Sequence, residues 1–330
     1  MKKLYFLTLL SIGSLGYSQV TLPHYDGMDY PSGTALQNQT GWTALNTGDD
    51  LEIVTGSLNY SGLQASTGNK LAFGGAGIDA GKDFTSQTAN TVYFSILLNV
   101  TDLTATTSTT GGYIAGFVQG TGTTFGGTLW LNKVSESTYN IGVNPRTTAA
   151  NTVYSSATYN TNTTYLVVIS YTFVDGTGND VVKIWINPSS LGSTEPTANA
   201  TATNTGTDLT SVSRLLVRQG SATDTPNVEL DEFRIGTTWA EVTPEATANV
   251  NDNAIAGLKI YPNPIAGNTL YVSSDLFGEK TVAVYDVLGK RILSSKVAND
   301  AVNIGTLNKG VYIVKVTQEG KTATRKLVVQ

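Results

Sequence analysis

The chain is a succession of strand-length apolar runs cut apart by clusters of Thr, Ser, Asn and Gly, and this pattern limits the fold more than any other feature. Runs at 90–100, 112–120, 127–134, 164–174, 180–187, 213–220 and 228–236 are each the length of one strand, and turn-forming residues recur between them. No window carries a capped helical stripe, so the chain reads as all-β. Several runs are apolar on both faces, as the inner strands of two stacked sheets must be. The expected body, residues 19–244, is therefore a jelly-roll β-sandwich. With no Cys in the chain, it is held by apolar burial alone, and neither thiol catalysis nor thiolate metal ligation is open to it.

Charge separates the chain into parts. Residues 19–244 hold 8 basic and 18 acidic side chains, a net of −10, whereas residues 245–330 hold 10 and 7, a net of +3. An acidic body repels phosphate backbones, which argues against nucleic acid as a partner. Residues 1–18 begin Met1-Lys2-Lys3, continue with an apolar run over 4–15 and end in Gly16-Tyr17-Ser18, the composition of a secretory signal peptide. That run is too short to span a bilayer, and no other segment approaches the length, so the mature chain is not expected to be membrane-spanning.

The C-terminal part carries the most specific motifs: LKIYPNPIAGNTLYV (258–272), VAVYDVLGKRILSSK (282–296), LNKGVYIVKV (307–316) and KTATRKLVVQ (321–330). In this order and spacing they resemble the type A C-terminal sorting domain of the type IX secretion system. The residues themselves describe a small Ig-like antiparallel sandwich, with chain reversals at Leu288-Gly289-Lys290 and Gln318-Glu319-Gly320. The resemblance implies recognition by the outer-membrane secretion and sorting machinery, then removal of the tail, with the body either attached to surface lipopolysaccharide or released. The polar stretch 245–257 reads as the linker in which a processing protease cuts. The segment 228–244 resembles the closing strand of laminin-G-like or concanavalin-like jelly rolls. By strict alternation Leu230, Glu232 and Arg234 share one face there, and Asp231, Phe233 and Ile235 the other.

Catalytic chemistry finds little support. The one His, His24, has no nucleophile elbow to serve, and with no Cys it cannot build the usual zinc set. In Glu229-Leu230-Asp231-Glu232-Phe233-Arg234 an Arg stands where the resemblance to laminarinase-type hydrolases would require a second Glu; a split pair of Glu232 with Asp180 or Glu136 stays open. No cofactor is required. A structural calcium ion is the one candidate, with Asp231 on the last strand and Asp26 or Asp29 near the first as ligands. The acidic loop 175–180 lacks the residues of an EF-hand and reads more simply as a hairpin turn. For ligand binding, Lys183, Trp185 and Asn187 share one strand face and Trp130 shares another with Thr128 and Asn132. The face of Arg214 and Arg218 or that of Glu232 and Arg234 could extend such a sugar platform, although buried tryptophans between the sheets are the plainer alternative. The expected function is an exported, non-catalytic binding or adhesion module, with carbohydrate as the candidate ligand and an extracellular polysaccharide-degrading enzyme as the alternative.

Overall fold

The computed structural model describes residues 19–246, 255–275 and 278–330. The expected signal peptide, and residues 247–254 of the expected linker, lie outside the described residues. The chain divides into two compact units, Met1–Ala246 and Thr247–Gln330.

In chain order the strands of the first unit are β1 (His24–Asp26), β2 (Trp42–Ala44), β3 (Glu52–Val54), β4 (Lys70–Phe73), β5 (Ala80–Gln87), β6 (Thr91–Asp102), β7 (Gly112–Val118), β8 (Phe125–Lys133), β9 (Thr138–Asn144), β10 (Val153–Tyr154), β11 (Tyr159–Asn160), β12 (Thr164–Thr172), β13 (Val181–Ile186), β14 (Ala200–Thr203), β15 (Val212–Val217) and β16 (Asn227–Gly236). They form two antiparallel sheets. The first runs β14-β13-β12-β6-β16-β4-β3, with β1 on β16; the second runs β10-β9-β8-β7-β15-β5-β2, with β11 on β9. The body is thus a jelly-roll β-sandwich. Its main core takes alternate residues from both sheets, among them Phe94, Ile96, Leu98, Val167, Ile169, Ile184 and Phe233 from the first and Phe84, Phe117, Leu129, Leu131, Ile141 and Leu215 from the second. Burying such side chains gives about 1.5–3 kcal/mol each, which suffices without disulfides.

The reverse side of the first sheet is also covered. Leu97, Leu166, Val168 and Trp185 pack there with Leu58, Leu63, Trp239 and Val242 into a second core. Its cover is loop 57–63 together with a short helix, α1 (Trp239–Val242), whose start carries a reciprocal capping pair of Thr238 and Glu241. The body continues past residue 244: Glu245 bridges Leu63, and Ala246 N donates to Gly62 O.

The second unit contains β17 (Lys259–Tyr261), β18 (Thr269–Ser273), β19 (Lys280–Tyr285), β20 (Arg291–Lys296), β21 (Ala301–Asn303), β22 (Gly310–Gln318) and β23 (Lys321–Val329). These make a three-stranded sheet, β17-β18-β21, and a four-stranded one, β20-β19-β22-β23. Their shared core includes Leu270, Val272, Val282, Val284, Val314, Val316 and Leu327. Ile255 belongs to this core, so the linker is narrower at both ends than residues 245–257. The β22–β23 hairpin closes on Glu319 and Gly320, with φ of 49° and 74°, the pair of left-handed residues that matches the twist of two-residue hairpins.

Candidate functional site

Along β8, Leu129 and Leu131 face the core, so Thr128, Trp130 and Asn132 face away from it. Register then assembles a row across four strands. Tyr113 on β7 and Gly142 on β9 lie opposite Trp130, and Tyr154 on β10 lies opposite Gly142. A side chain at 142 would come within 2.7 Å of Tyr154 Cδ1, so the glycine is what lets that ring lie over the strand toward Trp130. Tyr113 and Trp130 pack with centroids 5.6 Å apart, Phe125 sits 5.9 Å from Tyr113, and the Arg218 guanidinium lies 4.1 Å from the Tyr113 ring centre. Amides flank this band, with Asn132 opposite Asn140 on one side and Thr128 opposite Asn144 on the other.

Within the band the buried members are fixed from inside. Trp130 is 4% exposed, and its Nε1 donates to Thr128 Oγ1 at 2.9 Å. Asn144 donates to Thr148 O and Thr152 Oγ1 and accepts from Arg146 N. Arg214, on the same face, chelates Asp83 through two donors. The half-buried members Tyr113, Phe125, Tyr154, Arg218, Asn132 and Asn140 are the ones that present surface, and Asn132 Oδ1 is a buried acceptor with no partner. Burial raises the Tyr113 phenol above its ordinary range, so it remains a donor through neutral pH.

The expected platform of Trp130 with Trp185 does not form. Trp130 belongs to the second sheet and Lys183, Trp185 and Asn187 to the region of β13 in the first. Trp185 is 1% exposed, packs edge-on to Trp239 and at a tilt to Tyr93, and donates from Nε1 to Pro196 O. Lys183 pairs with Glu195 at 3.2 Å, and Asn187 Oδ1 accepts from Leu166 N at the strand end. The shared face is real for Lys183 and Trp185, but the chain around 191–198 and α1 seal it. Of the proposed extensions, Arg214 and Arg218 lie on the Trp130 face.

Strict alternation also fails on β16. Between Asp231 and Arg234 the pairing with β6 advances by two residues while β16 advances by three, and Glu232 holds φ of +56°. This bulge leaves Asp231, Glu232 and Arg234 on the side away from the main core, with Leu230, Phe233 and Ile235 all in it. Glu232 is fully buried; it pairs with Arg234 and accepts from Tyr25 Oη at 2.8 Å and Thr67 N at 3.1 Å.

Asp231 and Asp26 do not join as a calcium set. Asp26 accepts from Lys82 Nζ (2.8 Å), Trp42 Nε1 (2.9 Å), Tyr30 Oη (2.7 Å) and Met28 N (3.2 Å), so an ammonium already supplies its cation. Asp231 accepts from Leu58 N and Glu232 N and is fully buried. Among the described residues no group of three His, Cys, Asp or Glu is placed to hold a metal. Nor do Glu232, Asp180 and Glu136 supply a split carboxylate pair. Asp180 accepts from Tyr171 Oη and Val174 N at the β12–β13 turn, and Glu136 pairs with Lys133 at the β8–β9 turn. Loop 175–180 is a hairpin, held by the Asp208 carboxylate, which accepts from Gly178, Asn179 and Asp180 N.

Burial pushes the Asp231 carboxyl up to about 8, with adjacent Glu232 adding to the effect and the two backbone donors opposing it. The folded body binds this proton more tightly than the unfolded chain does. Its contribution is therefore complete below the ordinary carboxylate range and is lost as pH rises toward 8, by about 1.4 kcal/mol for each pH unit crossed. Asp231→Asn is expected to flatten that decline. Urea midpoints at pH 5 and pH 9 check it, and an unchanged pH difference in the variant would refute it.

Residues 259–330 match the model of the secretion system C-terminal sorting domain. The second unit is thus a type IX sorting tail, and the protein is exported to the outer surface or beyond it. Among curated proteins, the endo-acting ulvan lyase of Formosa agariphila is 29% identical over 96 residues, 28% of this chain. The match spans only 18% of that enzyme's length. Among solved structures, the chain is similar to peanut lectin (9% identity, 66% of this chain and 99% of that one, TM-score 0.33) and to the Ca2+/Man2-bound exoplasmic/lumenal domain of VIP36 (11%, 67% and 90%, 0.34). The receptor-binding domain of botulinum neurotoxin D is another (12%, 83% and 70%, 0.32). Among the described residues no helix is long and apolar enough to cross a membrane.

Proposed function

We propose that the exported body is a non-catalytic carbohydrate-binding module, and that the aromatic band on the second sheet is its contact surface. The observation that carries this reading is the row Arg218–Tyr113–Trp130–Tyr154, flanked by amides on both sides. Sugar rings present C–H faces to aromatic rings and hydroxyls to amides, and this face offers both in fixed positions. The buried Trp130 acts as the backing and the half-buried Tyr113, Tyr154 and Asn132 as the contacts. Export through the type IX machinery delivers the module to the surface, where removal of the tail leaves the body attached to lipopolysaccharide or free.

A glycan array probed with the secreted protein is the test. Tyr113→Ala is expected to weaken binding of any positive glycan about tenfold, roughly 1.4 kcal/mol. Binding that survives both Tyr113→Ala and Tyr154→Ala, or an array with no positive glycan, refutes the assignment.

The second reading, a polysaccharide-degrading enzyme, draws on the 96-residue similarity to the ulvan lyase. The geometry favours it less for a hydrolase. General acid–base cleavage by a carboxyl pair needs two such groups facing one groove, and of the two carboxyls that burial raises among the described residues, Asp231 is sealed beneath the 57–63 loop and Asp79 accepts from Gln219 N beside Arg218. Release of new reducing ends from ulvan or another polysaccharide would decide for the enzyme.

A further inference from the structure

β1 pairs with β16 on one edge only, and beside it a cavity of about 310 Å3 opens, lined by His24, Tyr25, Asp26, Asp29, Tyr30, Thr67 and Lys82 among others. We propose that this cavity is a second ligand site, separate from the aromatic band, and that it takes a single neutral, hydroxyl-bearing ring of hexose size.

The walls of the cavity are rigid. Asp26 on β1 and Lys82 on β5 pair across the two sheets with side chains 6% and 5% exposed, and Trp42 and Tyr30 donate to the same carboxylate. Tyr25 is fixed at the rim, 41% exposed, by the Arg234 guanidinium 4.7 Å from its ring centre and by bonds to Glu232 and Thr67. Such a wall is largely preorganised, which removes part of the usual cost of binding, and the reordering left to a ligand is the small shift that opens His24 Nε2 to it.

Two polar groups in it are unspent. His24 Nε2 is buried and has no hydrogen-bond partner. Burial first, then the charge of Lys82, lowers the His24 pKa from 6.5, so at neutral pH the imidazole is uncharged and offers a donor at one nitrogen and an acceptor at the other. Lys82 has three ammonium donors, and its hydrogen bonds among the described residues go to Asp26 at 2.8 Å and, more weakly, to Thr40 O at 3.4 Å. Buried polar groups in native proteins are nearly always satisfied, so leftover capacity on two side chains of one cavity points to a ligand that completes it. The contrast is the larger cavity, about 680 Å3, near the β12–β13 turn: its Asp180 and Asp208 carboxylates are fully engaged within the fold.

Charge sets the ligand class. With His24 neutral, the lining carries Asp26 and Asp29 against Lys82, a net of one negative charge, which disfavours carboxylated and sulfated sugars. Volume sets what fits, since about 310 Å3 lies at the low end of small-molecule sites and accommodates one hexose ring.

His24 is the only histidine of the chain, so its imidazole is a unique reporter in untagged, 15N-labelled full-length protein. Titration with the methyl glycosides of glucose, galactose and mannose is expected to shift the His24 ring nitrogens saturably for at least one of them. Methyl glucuronide at the same concentration is expected to leave them in place. Asp29→Lys, at an exposed position, is expected to admit the glucuronide and to gain at least about fivefold in its affinity. Tyr113→Ala, in the band, is expected to leave the His24 response unchanged, so failure of either site is read independently of the other. The proposal is overturned if no glycoside moves the His24 signals up to about 50 mM, weaker than any specific site would be. It is overturned equally if the glucuronide binds the unaltered protein as well as the neutral sugars do, or if Asp29→Lys does not admit it.

Discussion

A chain ending at Ala246 is expected to fold normally and yet to be absent from the cell surface and the medium, retained inside the envelope. The expectation follows from how completely the two units divide the work. The body closes on itself at the Leu63–Glu245 bridge and the Ala246–Gly62 hydrogen bond, and among the described residues its core draws on none beyond 246. The tail has its own core, from Ile255 to Leu327, and residues 259–330 carry the whole sorting-domain match. Removing the tail therefore deletes the part the secretion machinery reads and leaves the body's burial intact. Immunoblots of fractionated cells measure the distribution, and a thermal melt of the truncated chain shows whether it is folded. Undiminished surface or medium protein would defeat the sorting assignment. In the full-length strain, the intact mass of the exported form should correspond to a chain cut before residue 258, and a mature species that still ends at Gln330 would contradict processing.

What the sequence made legible is what depends on local period. Val282 and Val284 turn inward and Glu319-Gly320 closes a hairpin because both follow from neighbours within a few positions. Leu129 and Leu131 likewise announce which way Trp130 points. What stayed hidden depends on pairing at a distance. That Trp130 meets Tyr113, and that a glycine at 142 lets Tyr154 complete the row, is set by the register of four strands, and register leaves little trace in any one of them. Polar Lys183 and Asn187 on either side of Trp185 suggest an open face. Loop residues such as Leu58 and Leu63, far earlier in the chain, and Trp239, far later, convert that face into a second core. Asp26 and Lys82 stand 56 positions apart, so their ion pair could not be anticipated from either segment. The bulge at Glu232 escaped for a different reason: a non-glycine residue with φ of +56° is costly, and alternation arguments assume it away.

That bulge is where a single substitution should do the most damage. Arg234 and Glu232 are 2% and 0% exposed, so each charge is tolerated only because the other is present. Arg234 also donates to Glu232 O and supports the Tyr25 ring, tying β16 to β1 on the side away from the main core. Arg234→Ala leaves the Glu232 carboxylate buried with Tyr25 Oη and Thr67 N as its remaining donors and opens a gap the size of the lost side chain. The expected cost is about 3–5 kcal/mol, the range for breaking a buried pair from one side. The double variant Glu232→Gln with Arg234→Met, which removes both charges and retains most of the volume, is expected to recover most of that loss, because desolvating two ions offsets much of what their attraction returns. Urea unfolding of the parent, Glu232→Gln, Arg234→Met and their double variant gives the coupling directly, with Arg234→Ala measured beside them. A single variant less than about 1 kcal/mol below the parent would show that the pair is not buried as described, since exposed pairs contribute only that much. A double variant as unstable as Arg234→Ala would place the stabilisation in the shape of the two side chains and not in their charge.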